Sequence, residues 1–198
     1  NNLDIGLYIS ETSLKKAKEL GWYKKLINSG AHNTTLANKS VNTVFSNSVL
    51  EHINNLDEVL DEVSRILKPG GVFIFTTHSP ATLNFFISNF LQSLGLKTMS
   101  KYYKQYLCKM LQLKTLWSED KWKINLKSRN FTIEKFIKTT PNRSVFWYEI
   151  LMPITMIQNR VPFLKILPIT QFLLFLLNID FNTRGEKNYL IKATKKFK

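Results

Sequence analysis

The segment 56–77, LDEVLDEVSRILKPGGVFIFTT, decides the fold class of this chain. Leucine, valine and isoleucine recur at helical spacing over Leu56–Leu67, which predicts an amphipathic helix with one apolar face. The Pro-Gly-Gly sequence at 69–71 is expected to stop that helix. The unbroken apolar and β-branched run Val72–Thr77 is typical of a central parallel strand covered on both faces. A helix followed directly by such a strand predicts an α/β layered fold.

The same alternation continues on both sides of this segment. Strands are predicted at Leu3–Ile9, Lys25–Ile27, Thr43–Ser46, Phe131–Ile137 and Asn188–Thr194, and helices at Glu11–Leu20 and Trp117–Asn130. Ser10 and Ser118 are predicted to be N-caps, and Gly21 is predicted to be a left-handed C-terminal residue. Asn55 with Glu58 three residues later predicts a capping box.

The composition indicates one globular domain. The chain has 198 residues, 44% of them hydrophobic, which excludes a disordered, collagen-like or heptad-repeat protein. The single cysteine, Cys108, excludes an internal disulfide framework and fits a reducing compartment. Lys and Arg total 28 against 14 Asp and Glu. The excess is greatest over Lys97–Lys138, where bases alternate with aromatic residues. A solvated helical face, an anionic membrane surface and a nucleic acid are the alternatives, and the shortage of Arg disfavours nucleic acid.

Two stretches interrupt the strand and helix pattern. Thr82–Leu116 is helical and basic, whereas Ile150–Ile179 is apolar and contains three prolines. The uncharged part of the second stretch, Ile166–Ile179, is shorter than the roughly 20 residues that a membrane-spanning helix needs. Two interpretations remain open. The stretch is either a helical hairpin packed into the core or a dimer partner, or an amphipathic element in the membrane interface.

Three consecutive motifs carry a family resemblance. They are VFSNSVLEHI at Val44–Ile53, the helix Leu56–Leu67, and KPGGVFIF at Lys68–Phe75. In this order and spacing they resemble the middle of class I S-adenosylmethionine-dependent methyltransferases of the small-molecule, type 11-like group. The resemblance implies a Rossmann-like sheet with helices on both faces, in a single domain over 1–198 with inserts at about 82–116 and 141–185. It also implies that the first strand and its Gly-rich turn are missing, so that the chain is an N-terminally incomplete fragment.

In a parallel sheet, ligands bind beyond the carboxyl ends of the strands. The resemblance implies that the segment at Tyr8 meets the ribose of S-adenosylmethionine, the segment at Gly30 its adenine, and the segment at Ser46 its methionine portion. The implied cofactor-binding residues are Tyr8, Ile9, Gly30, Ala31, Ser46, Asn47 and Ser48.

The chain departs from the family pattern at three of these places. Tyr8, Gly30 and Asn42 stand where the family has acidic residues. A tyrosine hydroxyl cannot accept hydrogen bonds from both ribose hydroxyls as a carboxylate does, so we expect weak or lost cofactor binding. The chain is then either a truncated, decaying methyltransferase or a methyltransferase fold kept for binding.

The titratable side chains outside these motifs allow few roles. His52 follows a cofactor-side strand and is a candidate catalytic base, the alternative being a structural hydrogen bond. His32 and His78 also lie in predicted strand-end loops, but scattered histidines without acidic partners predict no metal site. Cys108 is expected to be a buried small apolar residue.

The resemblance implies methyl transfer from S-adenosylmethionine to a small or lipid-linked acceptor, because both inserts would cover the substrate side of the sheet. A cytoplasmic protein with peripheral membrane contact through residues 150–179 is expected, and its oligomeric state stays open. The alternative function is a non-catalytic methyltransferase-fold protein that serves as an interaction or membrane-surface module.

Overall fold

The computed structural model describes residues 3–83, 86–139 and 188–197. The strands are β1 (Leu3–Tyr8), β2 (Tyr23–Asn28), β3 (Val41–Asn47), β4 (Leu67–His78), β5 (Phe131–Thr139) and β6 (Asn188–Lys195). The α-helices are α1 (Glu11–Leu20), α2 (Leu56–Ile66), α3 (Phe86–Ser93), α4 (Lys97–Met110) and α5 (Glu119–Ser128). Short 3-10 helices span Leu50–His52 and Pro80–Leu83. This mixed architecture confirms the predicted α/β class.

Most helix ends follow the predicted capping chemistry. The Ser10 hydroxyl accepts a hydrogen bond from the backbone N–H of Ser13, and Gly21 has a φ of +66° at the end of α1. Ser118 caps α5 in the same way, accepting from the N–H of Lys121. The predicted capping box at Asn55 is wrong, because the Asn55 side chain makes no capping hydrogen bond.

The end of α2 also differs from the prediction. The helix ends at Ile66, and Leu67 is already extended, with φ −70° and ψ 134°. Leu67 pairs with Val41 of β3, so the sheet ends this helix before the Pro-Gly-Gly sequence begins.

The described strands form two sheets. In one, β1 pairs parallel with β2; in the other the order is β3-β4-β6-β5. The β3–β4 pair is parallel, and β6 runs antiparallel to both β4 and β5. A single sheet was predicted, but no strand among the described residues joins β1 to β3. The parallel pairs nevertheless place Tyr8 beside Asn28 and Asn47 beside Thr76, at the carboxyl ends of their strands.

The hydrophobic core lies in the larger sheet, between β4–β6 and the helices α2 and α5. Phe73 and Phe75 are fully buried and stacked, with ring centroids 4.5 Å apart, and Phe75 lies 4.7 Å from Trp122. Alternate residues of β4, Val72 and Ile74, are only half-buried. The prediction that this strand is covered on both faces is therefore met fully on the face of Phe73 and Phe75 and only partly on the other.

The predicted apolar stretch Ile150–Ile179 and the insert at 141–185 lie outside the described residues, and so does Pro141. Among the helices that the structure does describe, none combines the length and the apolar character that crossing a membrane requires.

Candidate functional site

The carboxyl ends of β1 and β2 are tied together by an amide that sequence reasoning missed. With its nitrogen turned toward the carbonyls, the Asn28 side chain donates to the backbone oxygens of Tyr8 (2.9 Å) and Ile9 (3.2 Å). The backbone N–H of Ser29 also donates to the Tyr8 carbonyl, at 3.1 Å. Asn28 therefore fixes the turn between β1 and α1. Its sequence signal is a polar residue directly after the Leu26-Ile27 run.

The Tyr8 side chain lies against the neighbouring strand. Its hydroxyl donates to the hydroxyl of Tyr23 at 3.1 Å, and the two rings meet edge to face with centroids 6.0 Å apart. This hydrogen bond, helped by burial, raises the pKa of Tyr8 above its ordinary value. The phenol therefore stays protonated and already has a partner at the place where the resemblance implies a diol acceptor.

At the end of β2, the ring of His32 occupies the space that a side chain at position 30 would fill. A Cβ atom on Gly30 would lie 2.5 Å from Cε1 and 2.7 Å from Nδ1 of His32. Gly30 also accepts a hydrogen bond from the N–H of Asn33 at 3.0 Å, which closes the turn. Ala31 packs against the core of the larger sheet. His32 thus occupies the space that an acidic side chain at position 30 would need.

The turn after β3 is held by Thr76 of β4. The N–H of Ser48 donates to the carbonyl and to the hydroxyl oxygen of Thr76, at 3.2 and 3.0 Å. The Thr76 hydroxyl donates in turn to the side-chain oxygen of Asn47 at 2.5 Å. Ser48 takes a φ of +50°, and Ser46 pairs with Phe75 one step earlier in the ladder. Asn47 and Ser48 are therefore rigidly placed, and Thr76 is the positioning residue that the sequence did not single out.

Loop 34–38, which follows the β2 turn, is anchored on α2 by Glu62. The Thr34 N–H and hydroxyl both donate to Oε1 of Glu62, at 2.7 and 2.6 Å. Arg65 donates to both carboxylate oxygens of Glu62 and also to the carbonyl of Leu36 at 2.7 Å. The bond from Arg65, and then those from Thr34, lower the pKa of Glu62 to about 2. This network links the small sheet to the core of the larger one.

A buried carboxylate lies at the end of β4. Glu51 is fully buried, and neither of its carboxylate oxygens accepts a hydrogen bond from the described residues. Its Oε1 lies 3.5 Å from Nε2 of His78, whose Nδ1 is 2.5 Å from the side-chain oxygen of Asn188. Among the described residues, the ring of His78 is therefore the polar group that faces the buried Glu51 carboxylate.

His52, the candidate base, is exposed and has one ring nitrogen engaged. Its Nδ1 lies 3.0 Å from the carbonyl oxygen of Gln112, so Nδ1 carries the proton in that bond and the neutral ring leaves Nε2 as an acceptor. Two and three residues after Gln112, Lys114 and Thr115 donate through their N–H groups to the Glu51 carbonyl. The turn after α4 is thus docked on the 3-10 helix that carries His52.

Cys108 is not the fully buried residue that the sequence predicts. It is half-buried in α4 and lines a cavity of about 890 Å³, and burial raises the pKa of its thiol. None of the seven implied cofactor-binding residues is among the described residues that line this cavity. The structure brings Tyr8 and Ile9 together with the β2 end, and Ser46, Asn47 and Ser48 together with Thr76.

The side chains present fit S-adenosylmethionine through backbone and neutral groups. The turns near Tyr8 and Ser48, where the resemblance implies the nucleoside and the amino acid of the cofactor, are fixed by hydrogen bonds within the chain, so they offer shape and neutral polar surroundings. Positions 8 and 30 carry no carboxylate. The ring of His32 occupies the space beside Gly30 that an acidic side chain would need. The fit is therefore one of shape and backbone polarity, without the charged contact to the ribose diol.

Part of the chain is similar in sequence to known methyltransferases. Residues 4–75 match the profile of the methyltransferase domain family. Over 89 residues the chain is 35% identical to malonyl-[acyl-carrier protein] O-methyltransferase 1 of Coxiella burnetii, which is 43% of this chain and 29% of that protein. Over 48 residues it is 42% identical to the malonyl-[acyl-carrier protein] O-methyltransferase of Methylovorus sp., 24% of this chain and 16% of the relative. The alignments thus span less than a third of either relative.

Solved structures share the fold at low sequence identity. Geranyl diphosphate C-methyltransferase from Streptomyces coelicolor matches with a TM-score of 0.59 and 13% identity, over 98% of this chain and 63% of that one. The [4+2]-cyclase SpnF matches with a TM-score of 0.57 and 14% identity, over 100% of this chain and 67% of that one. Residues 4–75 therefore carry a methyltransferase-domain sequence, and the chain has the Rossmann-like fold of class I S-adenosylmethionine-dependent methyltransferases.

Proposed function

We propose that this chain takes part in methyl transfer from S-adenosylmethionine to a small or lipid-linked acceptor, as a single methyltransferase-like domain with two inserts. The observation that carries the proposal is the family match over residues 4–75, which contain the fixed turns at Tyr8 and Ser48. The [4+2]-cyclase with the same fold is a reminder that fold alone does not set the reaction.

The proposed roles follow from the contacts at the strand ends. Asn28 holds the Tyr8–Ile9 turn for the ribose, and Gly30 with Ala31 forms the wall against the adenine. Ser46, Asn47 and Ser48, held by Thr76, form the surface for the methionine portion, as the resemblance implies. When bound, S-adenosylmethionine supplies an electrophilic methyl group, so the protein's task is mainly to position the acceptor in line.

His52 is the proposed proton acceptor for an acceptor hydroxyl. The carbonyl of Gln112 fixes its tautomer and leaves Nε2 available, which suits a general base. A carboxylate acceptor would be methylated without proton removal, and the relatives are named for a malonyl group on acyl-carrier protein. A small acyl group linked to a carrier protein is therefore the finer form of the proposal, and it makes His52 dispensable.

Isothermal titration with S-adenosylhomocysteine tests cofactor binding without knowledge of the acceptor. We expect weak binding by the wild-type chain and about tenfold tighter binding by Tyr8→Asp, because the new carboxylate accepts hydrogen bonds from the ribose hydroxyls. Tyr8→Phe is the matched control, since it also removes the bond to Tyr23 but adds no acceptor. Equal affinities of Tyr8→Asp and Tyr8→Phe would contradict the placement of the ribose at Tyr8.

The alternative is a non-catalytic interaction or membrane-surface module. Its specific support is two exposed apolar stripes. One comprises Ile87 and Phe90 on α3 with Leu94 in the turn after it, and the other comprises Met99, Tyr102 and Tyr106 on α4. Both stripes follow the spacing of one helical face, and lysines lie beside the second. Co-sedimentation with vesicles containing anionic lipid tests this alternative. Absence of binding at low salt rejects the peripheral membrane contact, including that proposed for residues 150–179.

A further inference from the structure

The cavity along α4 is lined by an unusual concentration of positive charge. Its volume, about 890 Å³, lies in the range of small-molecule binding sites. Five lysines line it, and no described lining residue is acidic: Lys97, Lys101, Lys104, Lys109 and Lys114. The first three follow one another at intervals of four and three residues, so they project from one face of the helix.

Four of these lysines have no carboxylate partner within the described part of the chain. No Asp or Glu occurs in the sequence between Glu62 and Glu119. Within the described ranges, Lys97, Lys101, Lys109 and Lys114 form no ion pair, whereas Lys123 of α5 contacts Glu119 at 2.6 Å. Clustered like charges repel one another, so the cavity gains by binding an anion.

The cavity has an apolar floor beneath this charged rim. Leu113 is buried, with 9% of its surface exposed, and the buried lining also includes one polar residue, Ser100, at 4%. Leu83 and Cys108 are half-buried, whereas Lys97, Lys101, Lys109 and Lys114 are exposed. Four exposed cations over a partly apolar floor fit a molecule with an anionic group at one end and an apolar body.

The cavity adjoins the proposed methyl-transfer site. Two of its lining residues hold the 3-10 helix after β3: the Gln112 carbonyl contacts His52, and the Lys114 N–H donates to the Glu51 carbonyl. That helix follows the turn at Ser48 directly. A molecule in the cavity therefore lies next to the segment proposed to hold the methionine portion.

We propose that this cavity is the acceptor site and that it recognises an amphiphilic phosphate. The rim lysines bind the phosphate group, and the apolar floor binds the adjoining chain. Lysine ammonium groups suit phosphate as compact point charges. The role as acceptor site rests on the proposed methyl transfer, whereas phosphate binding itself does not.

The test is isothermal titration with n-octyl phosphate, without any cofactor, against inorganic phosphate and octanol. We expect n-octyl phosphate to bind more tightly than either, because only it engages rim and floor together. The double variant Lys101→Gln/Lys109→Gln should bind n-octyl phosphate about tenfold more weakly. Lys15→Gln/Lys16→Gln on α1, which removes the same charge from exposed helix positions outside the cavity, should leave the affinity within about twofold.

Other outcomes overturn the proposal. Equal weakening by the two double variants would show a non-specific effect of net charge. Equal affinities for inorganic phosphate and n-octyl phosphate would show that the apolar floor does not contribute to binding. Binding of vesicles or of single-stranded DNA, with no binding of monomeric n-octyl phosphate, would assign the lysines to a membrane or a nucleic acid instead. The titration with S-adenosylhomocysteine is independent of all these results, so failure of this proposal and failure of methyl transfer are distinguishable.

Discussion

The two sheets of this protein differ sharply in how well they are packed. The larger one, β3-β4-β6-β5, holds a core in which Leu60, Phe75 and Trp122 are at most 1% exposed. In the β1–α1–β2 unit, the buried apolar side chains are those of Ala17 and Ile27, which are 3% and 8% exposed. The larger sheet therefore has the apolar burial that stabilises a fold, and the smaller unit has little of its own.

This difference assigns different tasks to the two regions. A unit with few buried side chains opens locally at a lower free energy than the core. The smaller unit nevertheless carries Tyr8 and Gly30, and it is linked to α2 by Thr34, Glu62 and Arg65. We infer that the network at Glu62 sets how firmly the proposed nucleoside side of the site is held.

The largest expected effect is in the core. Leu60→Ala should lower the free energy of unfolding by about 2–5 kcal/mol, since it leaves a cavity among buried side chains. Ile27→Ala should lower the same global transition by less than about 1 kcal/mol, because it acts on a unit that opens locally. Urea denaturation followed by tryptophan fluorescence measures both, since Trp117 and Trp122 lie in the core.

Hydrogen exchange provides the control for that pair. Ile27→Ala should speed the exchange of β1 and β2 amides and leave β4 unchanged. Similar losses of global stability in the two variants would mean that both regions unfold as one unit, which would contradict the local opening of the smaller one.

A smaller effect is expected at the link between the regions. Glu62→Gln should cost about 1.5–3 kcal/mol, since the amide removes the negative charge and one of the two oxygens that accept from Arg65, while its remaining oxygen can still accept from Thr34. The pKa of Glu62 is about 2 in the fold against an ordinary 4.5, so its contribution is present above about pH 4.5 and is lost as the pH falls toward 2.

Unfolding measured between pH 6 and pH 2.5 tests this prediction. The wild type should lose more stability over that range than Glu62→Gln does. Glu58→Gln, an exposed position on the same helix, is the matched control and should follow the wild-type profile. Parallel profiles for wild type and Glu62→Gln would show that the network does not stabilise the fold.

The smallest effect is expected on the surface of the smaller unit. Lys24 and Asp4 form an ion pair at 2.6 Å, but their side chains are 64% and 81% exposed. Lys24→Gln should therefore change the free energy of unfolding by no more than about 0.5 kcal/mol, with Lys25→Gln as the control. A larger loss on urea denaturation, abolished by salt, would indicate that this pair holds β1 to β2.

Local sequence signals predicted the elements well and their partners less well. Ser10, Gly21 and Ser118 act as predicted because each cap depends on chemistry within a few residues. The Asn55 capping box failed, and α2 ends at Ile66, one residue before the predicted end, because Leu67 pairs with Val41. The end of a helix thus depended on a strand distant in sequence.

The candidate site shows the same division. Tyr8, Gly30 and Ser48 could be placed at strand ends from the alternation of strands and helices alone. Asn28, Thr76 and the space filled by His32 could not, since each acts across strands or around a turn. The roles of the seven cofactor-side residues and of His52 stay predictions that the titrations above address.

By itself, the sequence determined the order of strands and helices and the family match of residues 4–75, because periodicity, caps and residue identity are local properties. Only the tertiary structure decided where the core lies, that Glu51 is buried beside His78, and that five lysines line one cavity. Burial and charge balance depend on which segments pack together, and no local pattern specifies that.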